Sequence, residues 1–181
     1  MSPTMGQTAQ SQGTGGALLD REGKYLTFAL GNEEYGLEIL KVREIIGYMA
    51  ITAVPQTPLH VKGVVNLRGQ VIPVIDLRAK FGMEAADVTE QTCIIVAEIN
   101  QQGKRFNTGI VVDRVQEVLD IEGEDIEEAP QFGINVNTDF ILGIGKIGES
   151  VKILLDIDRA LASDDFNELK NDIDENCVSH E

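Results

Sequence analysis

The stretch that decides the fold is GVVNLRGQVIPVIDL, residues 63–77. Two apolar runs rich in valine and isoleucine lie on either side of NLRG, residues 66–69. Such runs around a glycine-bearing turn predict a β-hairpin. The same plan returns as GIGKIGESVKILLDI, residues 143–157, with Gly143 in the place of Gly63. The chain is therefore predicted to contain this hairpin twice, 80 positions apart.

A second pair of stretches repeats ahead of the two hairpins. YGLEILKVREII, residues 35–46, aligns with TGIVVDRVQEVL, residues 108–119, at a constant distance of 73 positions. Glycines and acids coincide as well as hydrophobic residues, with Glu44 over Glu117. Two matched blocks in the same order favour two similar modules in tandem over chance similarity between β-rich segments.

The strand pattern predicts an all-β fold. Many short alternating segments separated by turns, with little helix, indicate small antiparallel barrels. In a chain of 181 residues each half is near the size at which a lone barrel is marginal, so the halves are expected to share a core or an interface. Pro73 cannot donate a ladder hydrogen bond, which predicts that its strand lies at an edge or a bulge. Residues 41–46 fit a helix or a strand, and residues 158–170 are expected to form a terminal helix.

The charge balance excludes several classes of partner. A formal net charge of −15, from 30 acidic and 15 basic side chains, disfavours nucleic acid and anionic lipid. No run approaches a membrane span and the N-terminus lacks an apolar signal region, so the protein is expected to be cytoplasmic, without direct membrane insertion. Cys93 in a predicted strand and Cys177 in a polar tail predict neither a disulfide nor a zinc site.

The sequence contains little that points to chemistry. The motif G-x-G-x-x-G at residues 143–148 requires a helix after the loop to bind a nucleotide, whereas here a predicted strand follows, so the glycines are assigned to a tight hairpin. Asp76 and Asp156 are either a carboxylate pair for acid–base work or caps at equivalent strand ends, and the second role fits better. No nucleophile elbow and no metal-ligand spacing occurs, and we predict no catalysis, no metal and no cofactor.

A few residues have positions that suit binding. Arg68 lies at the predicted hairpin tip, where it is either an ordinary exposed turn residue or one half of a pair with Glu44 that fixes geometry more than stability. Phe132, between Pro130 and Gly133, is either a local core plug or an exposed interface anchor.

Three stretches together resemble CheW, the family of bacterial chemotaxis coupling proteins. They are FALGNEEYGLEILKVREI (residues 28–45), GVVNLRGQVIPVIDLRAKFG (63–82) and GIVVDRVQEVL (109–119), and NLRG followed by a β-run and D-L-R is the most specific motif. The resemblance runs from about residue 24 to residue 161. It implies two tandem five-stranded SH3-like barrels packed together, with short helices and a C-terminal helix.

The expected domain organisation follows from this resemblance and from the composition of the ends. A disordered N-terminal tail is expected over residues 1–20 and an acidic C-terminal tail over residues 166–181, on either side of a CheW-like domain at residues 21–165. Within that domain the first module is expected to span about residues 21–88 and the second about residues 89–160. Whether strands exchange between the two barrels is left open.

The resemblance implies a non-catalytic adaptor. Such an adaptor joins the cytoplasmic tips of methyl-accepting chemoreceptors to the regulatory domain of the histidine kinase CheA in membrane-associated signalling arrays. The resemblance assigns a receptor-binding groove between the barrels to four residues: Val42, Glu44, Arg68 and Val118. It also implies that Arg68 pairs with Glu44, and it assigns Phe132 and Gly63 to contacts with the kinase. The alternatives are a small-ligand-binding double barrel without a role in signalling and an oligonucleotide-binding barrel, which the net charge disfavours.

Overall fold

A computed structural model describes residues 21–130 and 138–161 of the chain. The predicted all-β fold is confirmed. The strands are β1 (Gly23–Leu30), β2 (Glu33–Glu38), β3 (Val42–Gly47), β4 (Val61–Leu67), β5 (Gln70–Asp76), β6 (Cys93–Gln101), β7 (Lys104–Val112), β8 (Arg114–Ile121), β9 (Ile126–Glu127), β10 (Ile141–Ile147) and β11 (Ser150–Leu155). The short helices are α1 (Leu77–Lys80) and α2 (Ile157–Ala160), with 3-10 turns at Ile39–Lys41 and Gly123–Asp125.

Several predictions lie wholly or partly outside the described residues. They concern the two tails, Phe132, and the part of the expected terminal helix after Leu161. Among the described residues, no helix has the length and apolar character that crossing a bilayer requires.

The strands form two sheets, and each sheet combines strands from both halves of the sequence. The six-stranded sheet has the order β8-β1-β2-β11-β10-β9, and the five-stranded sheet has the order β3-β6-β7-β5-β4. The hairpin β1–β2 therefore lies among strands of the second half, and the hairpin β6–β7 lies among strands of the first half. The module boundaries near residue 88 and the SH3-like barrel geometry stay predictions, but the two halves exchange one hairpin each.

The internal repeat extends to the pairing of the strands. In the five-stranded sheet β5 pairs with β7 in parallel, with Val74 opposite Gly109. In the six-stranded sheet β11 pairs with β2 in parallel, with Leu154 opposite Gly36. These are the positions related by the two sequence offsets. The two sheets are thus built on one pattern.

The paired glycines are explained by space. A Cβ atom on Gly36 would lie 2.7 Å from Cδ2 of Leu154, its partner across the parallel ladder. A Cβ atom on Gly109 would lie 2.8 Å from Cγ2 of Ile94 and 3.3 Å from Cγ2 of Val74. Both sheets therefore require glycine at the same point, where a bulky side chain from the neighbouring strand or hairpin occupies the room.

The hydrophobic core is shared between the halves, as their size predicted. A central cluster takes buried side chains from both sheets, among them Phe28 of β1 and Ile95 of β6. A second cluster lies on the other face of the five-stranded sheet and includes Val74 and Val96. A third, around Leu154, lies on the other face of the six-stranded sheet. Valine, isoleucine and leucine fill most of this interior, and their burial is the main stabilising term.

The strand ends confirm one prediction and correct another. The side chain of Asp76 accepts a hydrogen bond from the backbone N–H of Arg78 at 3.0 Å, and Asp156 accepts one from Arg159 at 3.2 Å, so both aspartates cap short helices. Of the two alternatives predicted from Pro73, the edge position is wrong, since β5 lies between β7 and β4, while a register shift in the β4–β5 ladder lies close by, opposite Val74 and Ile75. The missing N–H of Pro73 is tolerated because the ladder with β7 begins only at Val74.

The carboxylate of Asp113 joins two turns and the short helix α1. Asp113, between β7 and β8, accepts hydrogen bonds from the guanidinium of Arg78 at 2.8 Å (Nε) and 2.6 Å (Nη2). It also accepts one from the backbone N–H of Gly31 at 2.7 Å. Arg78 and Asp113 are mostly buried, with 17% and 27% of their side chains exposed.

A second junction of this kind lies at α2. Here the helix carries the acidic side chain, Asp158, and the cation, Lys41, comes from the 3-10 turn before β3. Asp158, on α2, accepts a hydrogen bond from Nζ of Lys41 at 2.6 Å. It also accepts one from the backbone N–H of Asn100 at 2.8 Å. The carboxylate thus comes from the helix here and from a turn in the first junction, while the backbone donor comes from the β1–β2 or β6–β7 hairpin in both.

Candidate functional site

The site begins at the tip of the hairpin β4–β5. The backbone of Arg68 is in the left-handed region, with φ of +54°, which residues other than glycine rarely adopt. Its counterpart in the second hairpin, Gly148, also has a positive φ, of +61°, although of the residues that follow them only Gly69 has a positive φ. The side-chain oxygen of Asn66 accepts a hydrogen bond from the N–H of Gly69 at 2.8 Å and closes the turn around Arg68.

The side chain of Arg68 forms a bidentate pair with Glu44. Nη1 donates to Oε2 at 2.6 Å and Nη2 donates to Oε1 at 2.8 Å. These hydrogen bonds raise the pKa of the Arg68 guanidinium above its ordinary value. The guanidinium is largely exposed, with 74% of the side chain accessible, while Glu44 beneath it is 26% exposed. A fork-to-fork pair of this kind fixes the direction of both side chains.

The pair also joins two strands that are far apart in the sheet order. Glu44 lies on β3 and Arg68 follows β4, and these strands are the opposite edges of the five-stranded sheet. The sheet must therefore curl until its two edges approach each other. The expected pairing of Arg68 with Glu44 is present in the structure.

Val42 lies beside this pair but on another face of β3. Val42 is opposite Ala97 and Ile45 is opposite Ile95, and both partners belong to the central cluster between the sheets. Residues directly opposite each other share one face of a sheet. Val42 and Ile45 therefore lie on the face that meets the other sheet, and Ile45 is 44% exposed.

On the six-stranded sheet, Val118 has the position equivalent to that of Ile45. It lies on the edge strand β8, opposite Leu26 of the central cluster, and 48% of it is exposed. The structure thus brings Glu44 and Arg68 into contact and places Val118 on the edge of the other sheet. Ile45, which the repeat offset aligns with Val118, is not among the residues that the resemblance assigned to the groove.

Gly63 has a structural explanation that does not involve a partner. It is buried in β4 with φ of +142°, a conformation open mainly to glycine. A Cβ atom there would lie 2.0 Å from the carbonyl oxygen of Thr52, which pairs with the neighbouring Val64 in an antiparallel bridge. Contact of Gly63 and of Phe132 with the kinase stays a prediction.

Replacing Arg68 by glycine, the residue of the second copy, is expected to leave the melting temperature unchanged or to raise it. Glycine adopts a positive φ without the strain that arginine bears, and the ion pair that is lost is exposed and contributes little. Thermal unfolding followed by circular dichroism measures this. Arg68→Ala is the control, because it removes the pair and keeps the strain. A clear drop in melting temperature for Arg68→Gly would show that the pair is needed for folding.

A cavity lies elsewhere, between the end of α1 and the six-stranded sheet. It has a volume of about 340 Å³ and its lining includes Tyr35, Phe81 and Phe140. The rings of Tyr35 and Phe81 stack at 5.8 Å between centroids, and those of Phe81 and Phe140 stack at 5.2 Å. Among the described residues, no group of three or more His, Cys, Asp or Glu side chains could hold a metal ion. The polar pair Glu44–Arg68 therefore remains the better candidate site.

Comparison with known proteins agrees with this fold. The family model for the CheW-like domain matches residues 24–165. The chemotaxis protein CheW of Klebsiella aerogenes is 44% identical over 143 residues, which cover 79% of this chain and 84% of that protein. The chemotaxis protein CheW of Treponema pallidum is 30% identical over 155 residues, or 86% of this chain and 91% of that protein.

A solved structure is also similar. The crystal structure of the scaffolding protein TtCheW from Thermoanaerobacter tengcongensis has a TM-score of 0.69 and 34% sequence identity, covering 80% of this chain and 95% of that one. The family resemblance inferred from the sequence is thereby confirmed, together with a role as a chemotaxis adaptor. The chain belongs to the CheW-like family, whose members are non-catalytic scaffold and adaptor proteins.

Proposed function

We propose that this protein couples methyl-accepting chemoreceptors to the histidine kinase CheA in membrane-associated signalling arrays. The observation that carries the proposal is the pair of Arg68 with Glu44, which is present in only one of the two repeats. Gly148 takes the corresponding place in the second hairpin without a side chain, so a hairpin of this register does not need an arginine there. Backbone strain that the fold does not require is typical of functional positions.

The receptor tip is proposed to bind across the two edge strands. Val42 and Val118 lie on faces that meet at the central cluster, and Val118 offers exposed apolar surface. Beside Val42, Arg68 and Glu44 present a fixed charged fork. An apolar contact area next to one oriented charged group suits a protein helix, because the first supplies affinity and the second supplies orientation.

The regulatory domain of CheA is proposed to bind a separate face that includes Phe132 and Gly63. An adaptor must hold both partners at once, so the two faces cannot coincide. The support for this face is the family resemblance of the A-P-x-F motif. Because Gly63 is buried, its contribution would come through the backbone and the shape of the surface around it.

Charge reversal at the pair tests the receptor face. Glu44→Arg and Arg68→Glu are each expected to weaken binding of a purified receptor cytoplasmic fragment by roughly tenfold or more, because each places like charges together and disrupts the fork. The double variant, with the charges exchanged, is expected to regain part of this loss, since the pair can form again. Binding is measured by pull-down and calorimetry on samples whose circular dichroism shows a normal fold.

Two results would contradict the receptor face. Folded single variants that bind like the unmodified protein would remove Glu44 and Arg68 from it, and a double variant without any recovery would remove the coupling between them. The adaptor role is tested by recovery of CheA on immobilised receptor fragment. We expect kinase to be retained only when this protein is present, and retention without it would contradict the role.

A further inference from the structure

The second repeat contains a copy of the Arg68–Glu44 arrangement with the arginine left out. Gly148 takes the place of Arg68 at the tip of β10–β11, and Glu117 on β8 takes the place of Glu44 on β3. The hairpin β10–β11 has the register of β4–β5, residue for residue. Val118 lies opposite Leu26 as Ile45 lies opposite Ile95. Leu67 and Ile46 pack on one cluster in the first copy, and their counterparts Ile147 and Leu119 pack on one cluster in the second, so the tip and the edge strand approach each other in both.

The two glutamates differ in what covers them. Arg68 lies over Glu44, whose side chain is only 26% exposed. Glu117 is exposed, and among the described residues its carboxylate has no ion-pair partner. Val118, the next residue on β8, is 48% exposed. The surface is thus an acceptor carboxylate next to an exposed apolar side chain, without the cation that the first copy supplies itself.

We propose that the receptor tip supplies the missing cation. In this arrangement an arginine or lysine of the receptor, with apolar residues next to it, pairs with Glu117 while the apolar residues cover Val118. The acceptor lies in a strongly acidic region, since residues 117–128 hold seven acids and no base, and this attracts a basic partner. Arginine suits the site better than lysine, because its fork matches a carboxylate. The inference rests on the proposed function, in which Val118 is a receptor contact.

The inference is tested by placing an arginine of this protein itself beside Glu117. Gly148→Arg places an arginine at the position equivalent to Arg68, where φ is also positive, and this side chain is expected to pair with Glu117 and displace the receptor's cation. Affinity for a purified receptor cytoplasmic fragment should fall roughly tenfold, the order seen when one charged pair at an interface is lost. Gly103→Arg is the matched control, because that turn glycine also has a positive φ, of +79°, with open space around it, and lies on another hairpin.

A second variant keeps the inference testable if the new arginine disturbs the hairpin. Glu117→Gln keeps the shape and removes the charge, so it should weaken binding and flatten its dependence on salt between 50 and 300 mM, roughly the range over which exposed ion pairs become screened. Unchanged affinity and unchanged salt dependence in both variants would overturn the inference. If Glu44→Arg still weakens binding in the same experiment, the proposed function stands without the inference. If Glu44→Arg also binds normally, the proposed function fails as well.

Discussion

Replacing Gly63 by alanine is expected to lower the free energy of unfolding by about 3 kcal/mol or more, and the melting temperature by roughly 10 °C. The added Cβ would lie 2.0 Å from the carbonyl oxygen of Thr52, and backbone cannot move aside as a side chain can. Relief of this clash breaks two hydrogen bonds of 2.9 Å between Thr52 and Val64. The φ of +142° adds strain for any residue with a Cβ atom.

Two other glycines are graded controls for this prediction. Gly143, the counterpart of Gly63, would place its Cβ 2.6 Å from Cγ2 of Ile126 and 3.0 Å from the carbonyl oxygen of Glu127, so alanine there should cost less. Gly47 has open space around it and no positive φ, so Gly47→Ala should leave the melting temperature nearly unchanged. Thermal unfolding of the three variants measures the series. Equal melting temperatures for the Gly63 and Gly47 variants would contradict the assignment of a steric role to Gly63.

Because Gly63 is needed for the packing of β4 against Thr52, a loss of binding on its substitution does not identify Gly63 as a contact residue. A substitution there that abolishes kinase binding would be explained by displacement of Thr52 and β4, without any direct contact. Substitution of Phe132, or of exposed residues around it, is therefore the better test of the kinase face. Gly63 and Arg68 differ in this respect, because the second copy shows that the fold accepts glycine in place of Arg68.

Much of the fold could be predicted from the sequence because the repeat is written in residues with special backbone requirements. Asp76 and Asp156 cap short helices as predicted, and the glycines of residues 143–148 lie in a hairpin instead of a nucleotide loop. Glycine and aspartate are restricted to turns and caps by their backbone chemistry, so their spacing is informative. The edge position predicted for the strand of Pro73 was wrong because a proline excludes one hydrogen bond and not a whole neighbouring strand.

The exchange of hairpins between the halves could not be read from the sequence. The turn after β2 and the turn after β7 lead into equivalent strands, and Gly36 and Gly109 make equivalent close contacts with their partners. A hairpin that fits one sheet therefore fits the other, and local pattern alone does not decide between them. Junctions such as Asp113 with Gly31 and Arg78 depend on which sheet receives each hairpin, and they lie far apart in sequence.

The candidate site was only partly predictable for a similar reason. The pairing of Arg68 with Glu44 followed from the family resemblance, and its bidentate geometry is confirmed. The exposure of Ile45 follows from the curl of the sheet. That Glu117, the counterpart of Glu44, has no arginine over it follows from comparison of the two copies in space. Periodicity within one strand does not contain that information, because a bulge interrupts the alternation in both β3 and β8.

Asp113→Asn is the second substitution with a large expected effect, and its effect should depend on pH. Arg78 and the N–H of Gly31 stabilise the ionised carboxylate, and they hold the pKa of Asp113 below its ordinary value. A carboxyl with a lowered folded-state pKa contributes stability above its unfolded pKa of about 3.9, and the contribution is lost as pH falls through the lower folded-state pKa. At pH 7 the variant should lose about 2 kcal/mol, the order for hydrogen bonds to a charged group that is partly exposed.

Urea unfolding of the unmodified protein and the variant between pH 7 and pH 3 measures this difference. The two stabilities should converge below pH 4, because protonation removes from the unmodified protein the charge that the asparagine lacks at every pH. Asp120→Asn is the matched control, since the pair of Asp120 with Lys24 is long, at 3.7 Å, and 68% of the aspartate side chain is exposed. A loss for Asp113→Asn that is the same at pH 3 and pH 7 would assign the role of this residue to packing. Convergence at low pH would show that one ionised carboxylate holds the β1–β2 turn, the β7–β8 turn and α1 together, and so fixes one of the exchanged hairpins in the sheet that receives it.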